Sequence, residues 1–294
     1  MTDAFLIDKS QVRRSFERAA ASYDQAAVLQ RAVADRMAER LQFIKHHPLA
    51  ILDAGCGTGY ARPLLQGHYA DARLISLDLA LGMLRVARGV RPWWQKMLPA
   101  KSASTYICGD LEALPLQSGS VDMLWSSLAL QWCNDLDAAF GGMRRVLAPN
   151  GLLMFSTFGP DTLGELRNAF SQADGYSHVS RFQDMHDIGD ALMRAGFADP
   201  VMDMEHFTLT YDTASGLMRD LKALGAHNAT QGRRQGLAGK SAWKRMEAEY
   251  EKLRQDGKLP ATYEVIYGHA WAPNQLPDGR QVVQMPSPRQ RGRR

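Results

Sequence analysis

The residues of this chain whose types and spacing could do chemistry are carboxylates and glycines set at the ends of apolar runs. Ile51-Leu52-Asp53-Ala54-Gly55-Cys56-Gly57-Thr58-Gly59 passes from an apolar run to an acid and then to glycines at alternate positions. That order predicts a strand, a tight turn and a helix start. Glycine suits the turn because a residue without Cβ accepts its dihedrals and lets a ligand lie against the backbone. The helix start adds free N–H groups for an anion, so the loop fits a nucleotide-like ligand. The dinucleotide fingerprint G-x-G-x-x-G would place its third glycine at Tyr60, whereas the spacing here is G-x-G-x-G, which argues against NAD and FAD.

Further apolar runs end in the groups a nucleoside would need. Arg73-Leu74-Ile75-Ser76-Leu77-Asp78 puts a carboxylate about 20 residues beyond the glycines, where an acid ending a second parallel strand accepts hydrogen bonds from ribose hydroxyls. Tyr106-Ile107-Cys108-Gly109-Asp110 ends in another acid, followed by Leu111, and Val121 to Ser127 is a fourth run. A helical stretch from Ala138 to Leu147 stops at the turn Pro149-Asn150-Gly151 before a fifth run, Leu152 to Ser156. Strands alternating with helices predict a parallel, doubly wound sheet. Ligands of such sheets sit beyond the carboxyl ends of the strands, where Gly55, Gly57, Asp78 and Asp110 fall. A single Asp is more often a helix N-cap or a solvated loop residue, and Asp122, at the start of its strand, keeps that plainer reading.

The pattern from Ile51 to Phe158 resembles the class I S-adenosylmethionine-dependent methyltransferases. The resemblance implies a Rossmann-like fold with a seven-stranded, mostly parallel sheet. It implies that Asp53 and the loop of Gly55, Gly57 and Gly59 surround the methionine end of the cofactor, and that Asp78 holds the ribose. Asp110 and the Leu111 amide would meet the adenine, and backbone near Ser127 the cofactor's amino group. No metal is implied.

Around this core, Asp8 and Gln11 read as an N-cap and its partner, with Val12, Phe16, Ala19 and Tyr23 at the helical period. Periodicity makes Tyr23 a core residue, while the resemblance implies that such N-terminal helices fold over the cofactor. A second helix, Val28 to Phe43, runs toward the Pro48 break, where His46-His47 suit a helix C-terminus. Beyond Phe158, Asp184 to Ala195 predicts a helix closed by Gly196, Met202 to Leu209 a strand, and Thr262 to Tyr267 a last strand. About 50 residues of helical, lid-like sequence separate those two strands, longer than a usual connection. Within them Leu217, Leu221 and Leu224 form a stripe with Lys222 at its edge, and ten Lys/Arg face six Asp/Glu between Tyr211 and Pro260. The expected organisation is an N-terminal helical cap (1–47), a cofactor-binding core (48–212), a helical lid (213–259), the last core strand (260–271) and a disordered basic tail (272–294). Trp93-Trp94, in the polar stretch before the third strand, are expected to pack a loop.

Composition excludes other classes. At 45% apolar residues the chain can bury a large core, and no apolar run approaches membrane-spanning length. Without a signal peptide at the N-terminus, a cytoplasmic protein is expected. Three cysteines without CxxC spacing support neither a disulfide framework nor a zinc site, and neither HExxH nor G-x-S-x-G is present.

The flanks carry a narrower resemblance. Ala19-Ala20-Ala21-Ser22-Tyr23-Asp24, Leu29-Gln30-Arg31, Leu130-Gln131-Trp132, His178-Val179-Ser180-Arg181-Phe182, Leu221 to Ala226, Gln231-Gly232-Arg233 and Leu259 to Tyr263 are together similar to the malonyl-acyl-carrier-protein O-methyltransferase family. Only the Arg91 to Ser104 segment, which is longer than usual, and the tail depart from it. The activity implied is methyl esterification of the free carboxylate of a malonyl thioester, which lets fatty-acid synthesis elongate it toward a biotin precursor. The partner implied is an acidic acyl-carrier protein bearing the malonyl group, or malonyl-CoA in its place. A malonyl carboxylate is ionised near neutrality, so its oxygen needs no general base; the site must align and dehydrate it. Arg181 is the first choice for the cation that captures the carboxylate, with Tyr23 and Lys222 behind it, and Gln131 and Trp132 would wall the chamber. The plainer readings are a surface ion pair for Arg181 and ordinary core for Trp132. A methyltransferase acting on a quinone or another small molecule would share every cofactor motif and differ only in the lid. One acting on RNA would use the net charge of +4, but the chain shows no RNA-binding module. A protein-modifying assembly factor is the third alternative.

Overall fold

From residue 50 onward each apolar run forms a strand and each amphipathic stretch a helix, as seen in a computed structural model that describes residues 6–89, 105–226, 228–232 and 239–274. In chain order the helices before the sheet are α1 (Lys9–Ala19), α2 (Tyr23–Ala26) and α3 (Val28–Leu41). The core runs β1 (Ala50–Ala54), α4 (Ala61–His68), β2 (Arg73–Asp78), α5 (Leu81–Arg88), β3 (Thr105–Cys108), β4 (Val121–Ser127), α6 (Leu136–Val146) and β5 (Leu147–Phe158). It continues with α7 (Gly164–Ser171), α8 (Met185–Arg194), β6 (Ala198–Tyr211), α9 (Ala214–Ala223), α10 (Lys240–Glu251) and β7 (Leu259–Trp271). The strand order is β3-β2-β1-β4-β5-β7-β6. β1 to β5 are parallel, and β7 runs antiparallel between β5 and β6. This is the seven-stranded, Rossmann-like arrangement that the sequence predicts, with α9 and α10 inserted before the last strand. No described helix is long and apolar enough to cross a membrane.

Alternation along the strands sends successive side chains to opposite faces. Ile51, Met123, Trp125, Leu152 and Met154 pack on one face with Val33, Met37 and Leu41 of α3. Leu52, Leu124, Leu153 and Phe155 pack on the other with Phe140 and Met143 of α6 and Leu192 of α8. Both faces are therefore covered, as a parallel sheet requires. Asp122 keeps its structural role: its Oδ2 accepts the Leu49 and Ala50 N–H groups, each at 2.9 Å, and so fixes the entry to β1.

Two helix ends differ from expectation. α1 stops at Ala19 because the Ser22 N–H and hydroxyl both turn back to the Ala19 carbonyl, a local competition that ends helices. Tyr23 therefore opens α2 instead of continuing the α1 stripe. α3 stops at Leu41, and His46 does not sit on a helix C-terminus; its Nε2 lies 3.0 Å from the Asp122 carbonyl oxygen, with the ring edge-on to Trp271. Strands β6 and β7 extend beyond the predicted runs because they pair with each other from Ala198↔Trp271 to Tyr211↔Leu259. Trp93, Trp94, Arg233 and residues 275–294 of the tail lie outside the described residues.

The residues just before α1 are tied to the core and to the segment between α9 and α10. Asn134 clasps Ile7 through both its N–H and its carbonyl, and Ile7 forms an isolated bridge with Thr230. Asp8 caps α1 by accepting the Gln11 N–H, as its spacing predicts, while its own N–H bonds the Ala229 carbonyl.

Candidate functional site

The carboxyl ends of β1 to β4 converge on a cleft lined by Gly55, Gly57, Asp78, Asp110, Leu111 and Ser127, with Lys9, Phe16, Tyr23 and Trp132 over it. Asp78 organises its floor. One carboxylate oxygen accepts the Gly57 N–H at 2.9 Å and the other the Ala80 N–H at 2.8 Å. Burial nonetheless pushes its pKa up to about 6, because desolvation outweighs those two bonds. Each oxygen keeps a further lone pair for a ligand hydroxyl.

The glycines divide the work. Gly55 and Gly57 have φ of +82° and +53°, conformations that L side chains rarely adopt. A Cβ on Gly55 would lie 2.3 Å from the Ala129 Cβ, whereas one on Gly57 would meet nothing within 4 Å. Gly57 is thus the residue whose missing side chain leaves room in the cleft. Gly59 does not line the cleft; it packs against Ala87 of α5. Asp53 also lies behind the lining, 3% exposed, with Oδ2 buried and without a hydrogen-bond partner. Desolvation first, and then the neighbouring Asp78 charge, push its pKa up to about 7.

Asp110 makes two kinds of contact. It caps the 3₁₀ turn Leu111–Ala113 through the Glu112 N–H, and it accepts from Lys9 Nζ at 2.8 Å. The same ammonium also pairs with Glu112. Burial would lower the Lys9 pKa, but the two carboxylates leave it above its ordinary value. Nothing in the sequence links Lys9 to Asp110 across 101 positions, so spacing gives no signal for this contact. Thr58 and Asp24 were likewise missed: the Thr58 hydroxyl donates to Asp24 at 2.6 Å and joins the glycine loop to the cap.

Tyr23 lies in this cleft, where burial and the Asp78 charge push its phenol above its ordinary range. Phe16 stands edge-on to Trp132 at 5.3 Å. Trp132 is also a wall of a second cavity, about 650 Å³, lined by Gln30, Gln131, Phe158, His178, Phe182, Leu221 and Tyr263 among others. The Gln131 amide is pinned at both ends, Nε2 donating to the Leu128 carbonyl at 2.6 Å and Oε1 accepting from Thr157 at 3.5 Å. Gln131 and Trp132 thus both line this cavity. At another wall Tyr211 bonds Asp220, and burial with the Asp220 charge pushes the phenol up to about 12.

Two predicted carboxylate-binding cations are not among the residues that line this chamber. Lys222 is exposed on α9, beside the stripe of Leu217, Leu221 and Leu224, and is not part of the chamber lining. Arg181 lines an adjoining cavity with Gln131, Phe158 and Phe182. Its neighbours Ser180 and Phe182 take the positions that face the chamber. Tyr23 lines the cleft and not the chamber.

A family model described as a methyltransferase domain matches residues 52–155. The chain is 58% identical to malonyl-[acyl-carrier protein] O-methyltransferase of Laribacter hongkongensis, over 97% of this chain and 98% of that one. It is 57% identical to the protein of the same name in Methylovorus sp., over 96% of each. Among solved structures, the YcgJ protein of Bacillus subtilis aligns with a TM-score of 0.56 at 14% identity, covering 81% of this chain and 97% of that one. A phosphoethanolamine N-methyltransferase of Haemonchus contortus, in complex with S-adenosylhomocysteine, aligns with a TM-score of 0.51 at 17% identity, covering 87% of this chain and 57% of that one. These likenesses show the shared fold. On the near-full-length identity to its relatives, the chain belongs to the malonyl-[acyl-carrier protein] O-methyltransferase family.

Proposed function

We propose that the protein transfers the methyl group of S-adenosylmethionine to the free carboxylate of malonyl-[acyl-carrier protein], giving the methyl ester that can be elongated toward a biotin precursor. The observation that carries this reading is the position of Trp132, one side chain that walls both the nucleoside-type cleft and a largely apolar chamber. The residues of the cleft fit the cofactor. Asp78 offers unused lone pairs to the ribose hydroxyls, Gly57 leaves room beside it, and Asp53 holds a buried, unpartnered oxygen behind the loop that would face the methionine end. Asp110 and the Leu111 amide would take the adenine edge, and the backbone at Ser127 the amino group.

When bound, the cofactor supplies an electrophilic methyl group on a sulfonium. Phe16, Tyr23 and Trp132 give the cleft an aromatic surface that suits such a cation. The malonyl carboxylate is its own nucleophile, so no residue has to remove a proton. Carboxylate and sulfonium neutralise each other as the methyl moves, and a dry enclosure favours that change over solvent that holds the charges apart. Phe158, Phe182, Leu221 and Tyr263 supply the dry walls, and the pinned Gln131 keeps its amide in place beside Trp132. The segment between β6 and β7, with its excess of base, would suit an acidic carrier, and Lys222, exposed on α9, would serve that contact rather than the carboxylate. Malonyl-CoA, which lacks the protein, would use the chamber alone.

Incubation with methyl-labelled cofactor and malonyl-carrier protein, malonyl-CoA, a quinone or RNA tests the assignment. Label should enter malonyl-carrier protein first and malonyl-CoA less efficiently. Transfer to quinone or RNA, with the malonyl thioesters inert, overturns it.

A further inference from the structure

A chamber that accepts a malonyl group needs a positive or donating group for the free carboxylate, since a carboxylate moved into an apolar wall without a partner is strongly disfavoured. Among the described residues that line the chamber there is no lysine or arginine. One basic ring is present. His178 follows α7 on a loop, with its ring stacked on Phe170 at 3.8 Å between centroids and 9° between planes. Its Nε2 lies 2.8 Å from Asp174 Oδ1, and the two side chains are only 16% and 12% exposed. Stacking and the carboxylate together fix the plane and rotation of the imidazole.

The loop holding His178 is bound to the reacting end of the molecule. Asn228 donates from Nδ2 to the Ser177 carbonyl at 2.6 Å and accepts the Thr230 N–H and hydroxyl. Thr230 bridges Ile7, which is clasped by Asn134, two residues beyond Trp132. The loop of His178 is thus joined through Asn228, Thr230 and Ile7 to the segment that follows Trp132.

We propose that His178 is the substrate-binding residue that receives the malonyl carboxylate, and that Asp174 is its positioning residue. This rests on the function proposed above. With Nε2 committed to Asp174, Nδ1 is the nitrogen left for a ligand, and to meet a carboxylate it must carry a proton. The ring is then an imidazolium between two carboxylates, one from the protein and one from the substrate. Charge-assisted hydrogen bonds of this kind are stronger than neutral ones. One substrate oxygen rests on Nδ1 while the other remains free to form the bond to the methyl carbon, as the methyl–sulfur bond breaks with its electron pair passing to sulfur. No proton moves in that step. The ester formed is neutral and loses the ion pair with His178, so the same contact that selects the substrate releases the product. The alternative, in which an unprotonated Nδ1 accepts an N–H from the thioester arm, predicts equal recognition of malonyl and acetyl groups.

The test measures inhibition and binding of malonyl and acetyl thioesters on the carrier by wild type, His178→Asn, His178→Gln, Asp174→Asn and Arg181→Ala, all with the full chain. Cofactor binding and thermal unfolding serve as controls for folding. The wild type should prefer malonyl. In both His178 variants malonyl affinity should fall roughly 10- to 100-fold, the scale of a lost hydrogen bond to a charged group, while acetyl affinity stays within about twofold. Asp174→Asn should reduce the same preference without moving acetyl affinity, a change that loosened packing alone would not produce. Arg181→Ala should retain the preference. Equal losses for both thioesters, or an unchanged malonyl preference in folded His178 variants, overturns the proposal. A wild type that methylates no malonyl thioester instead overturns the underlying function.

Discussion

Asp78 at the end of β2 and Gly57 in the loop after β1 are joined by a 2.9 Å hydrogen bond from the Gly57 N–H to the carboxylate. The acid and the glycine loop, 21 positions apart, therefore form one preorganised surface before any ligand arrives. An acid already held in place loses little freedom on binding, so its contribution to affinity is close to the full strength of the bonds it makes.

Replacing that acid should be costly. Asp78→Ala removes the acceptor for the ribose hydroxyls and also frees the loop N–H, and calorimetry should show cofactor binding weakened by about 1.5–3 kcal/mol. Affinity equal to wild type would remove Asp78 from the site.

The pH dependence of cofactor binding follows from the raised pKa of about 6 on Asp78. Ribose hydroxyls donate to the carboxylate form, so binding favours the deprotonated acid. Affinity should rise as pH increases through about 6 and level off above it, measured by calorimetry from pH 5 to 8. For folding of the cofactor-free protein the sign is opposite. Asp53 and Asp78 bind protons more readily when folded than at the ordinary value of 3.8, so the stability they contribute is present below about pH 4 and is lost as pH rises through 6 to 7. Asp53→Asn should accordingly stabilise the cofactor-free protein at pH 8, by on the order of 2–4 kcal/mol, and much less at pH 4.

The two turn glycines should separate stability from binding. Gly55→Ala drives a Cβ to within 2.3 Å of Ala129 and should destabilise the fold by roughly 2–3 kcal/mol in denaturant titration. Gly57→Ala meets no atom, so its cost to the fold is the left-handed backbone alone, about 1 kcal/mol. Its larger effect should be on cofactor affinity.

Charge in the lid predicts a salt effect. Apparent affinity for malonyl-carrier protein should fall as ionic strength rises to physiological levels, because exposed charges are screened, while malonyl-CoA should respond much less. Equal responses would make the lid charges a solvated face.

Much of the core was legible because β1, β2, β4 and β5 bury near-continuous apolar runs, and β1 and β2 end in chemically distinct residues, as Leu77-Asp78 and Ile51 to Gly55 show. Asp8, Asp184 and Gly196 were legible as helix ends because caps act over three residues. Contacts between distant segments were not. Lys9 meets Asp110 through a contact between the start of α1 and the turn after β3, and Arg181 lines an adjoining cavity that shares Gln131, Phe158 and Phe182 with the chamber. His178 stood in the same quoted motif, yet its role depends on Asp174 and Phe170, whose approach spacing alone does not reveal. Tyr23 was misplaced on its helix because Ser22 turns the chain one residue earlier.

The most direct test of the account is the intact mass of malonyl- and acetyl-carrier protein after incubation with the enzyme and S-adenosylmethionine. One added methyl group is expected, on the malonyl form only. No added methyl on malonyl-carrier protein by an enzyme that binds the cofactor, or the same gain on the acetyl form, would contradict it.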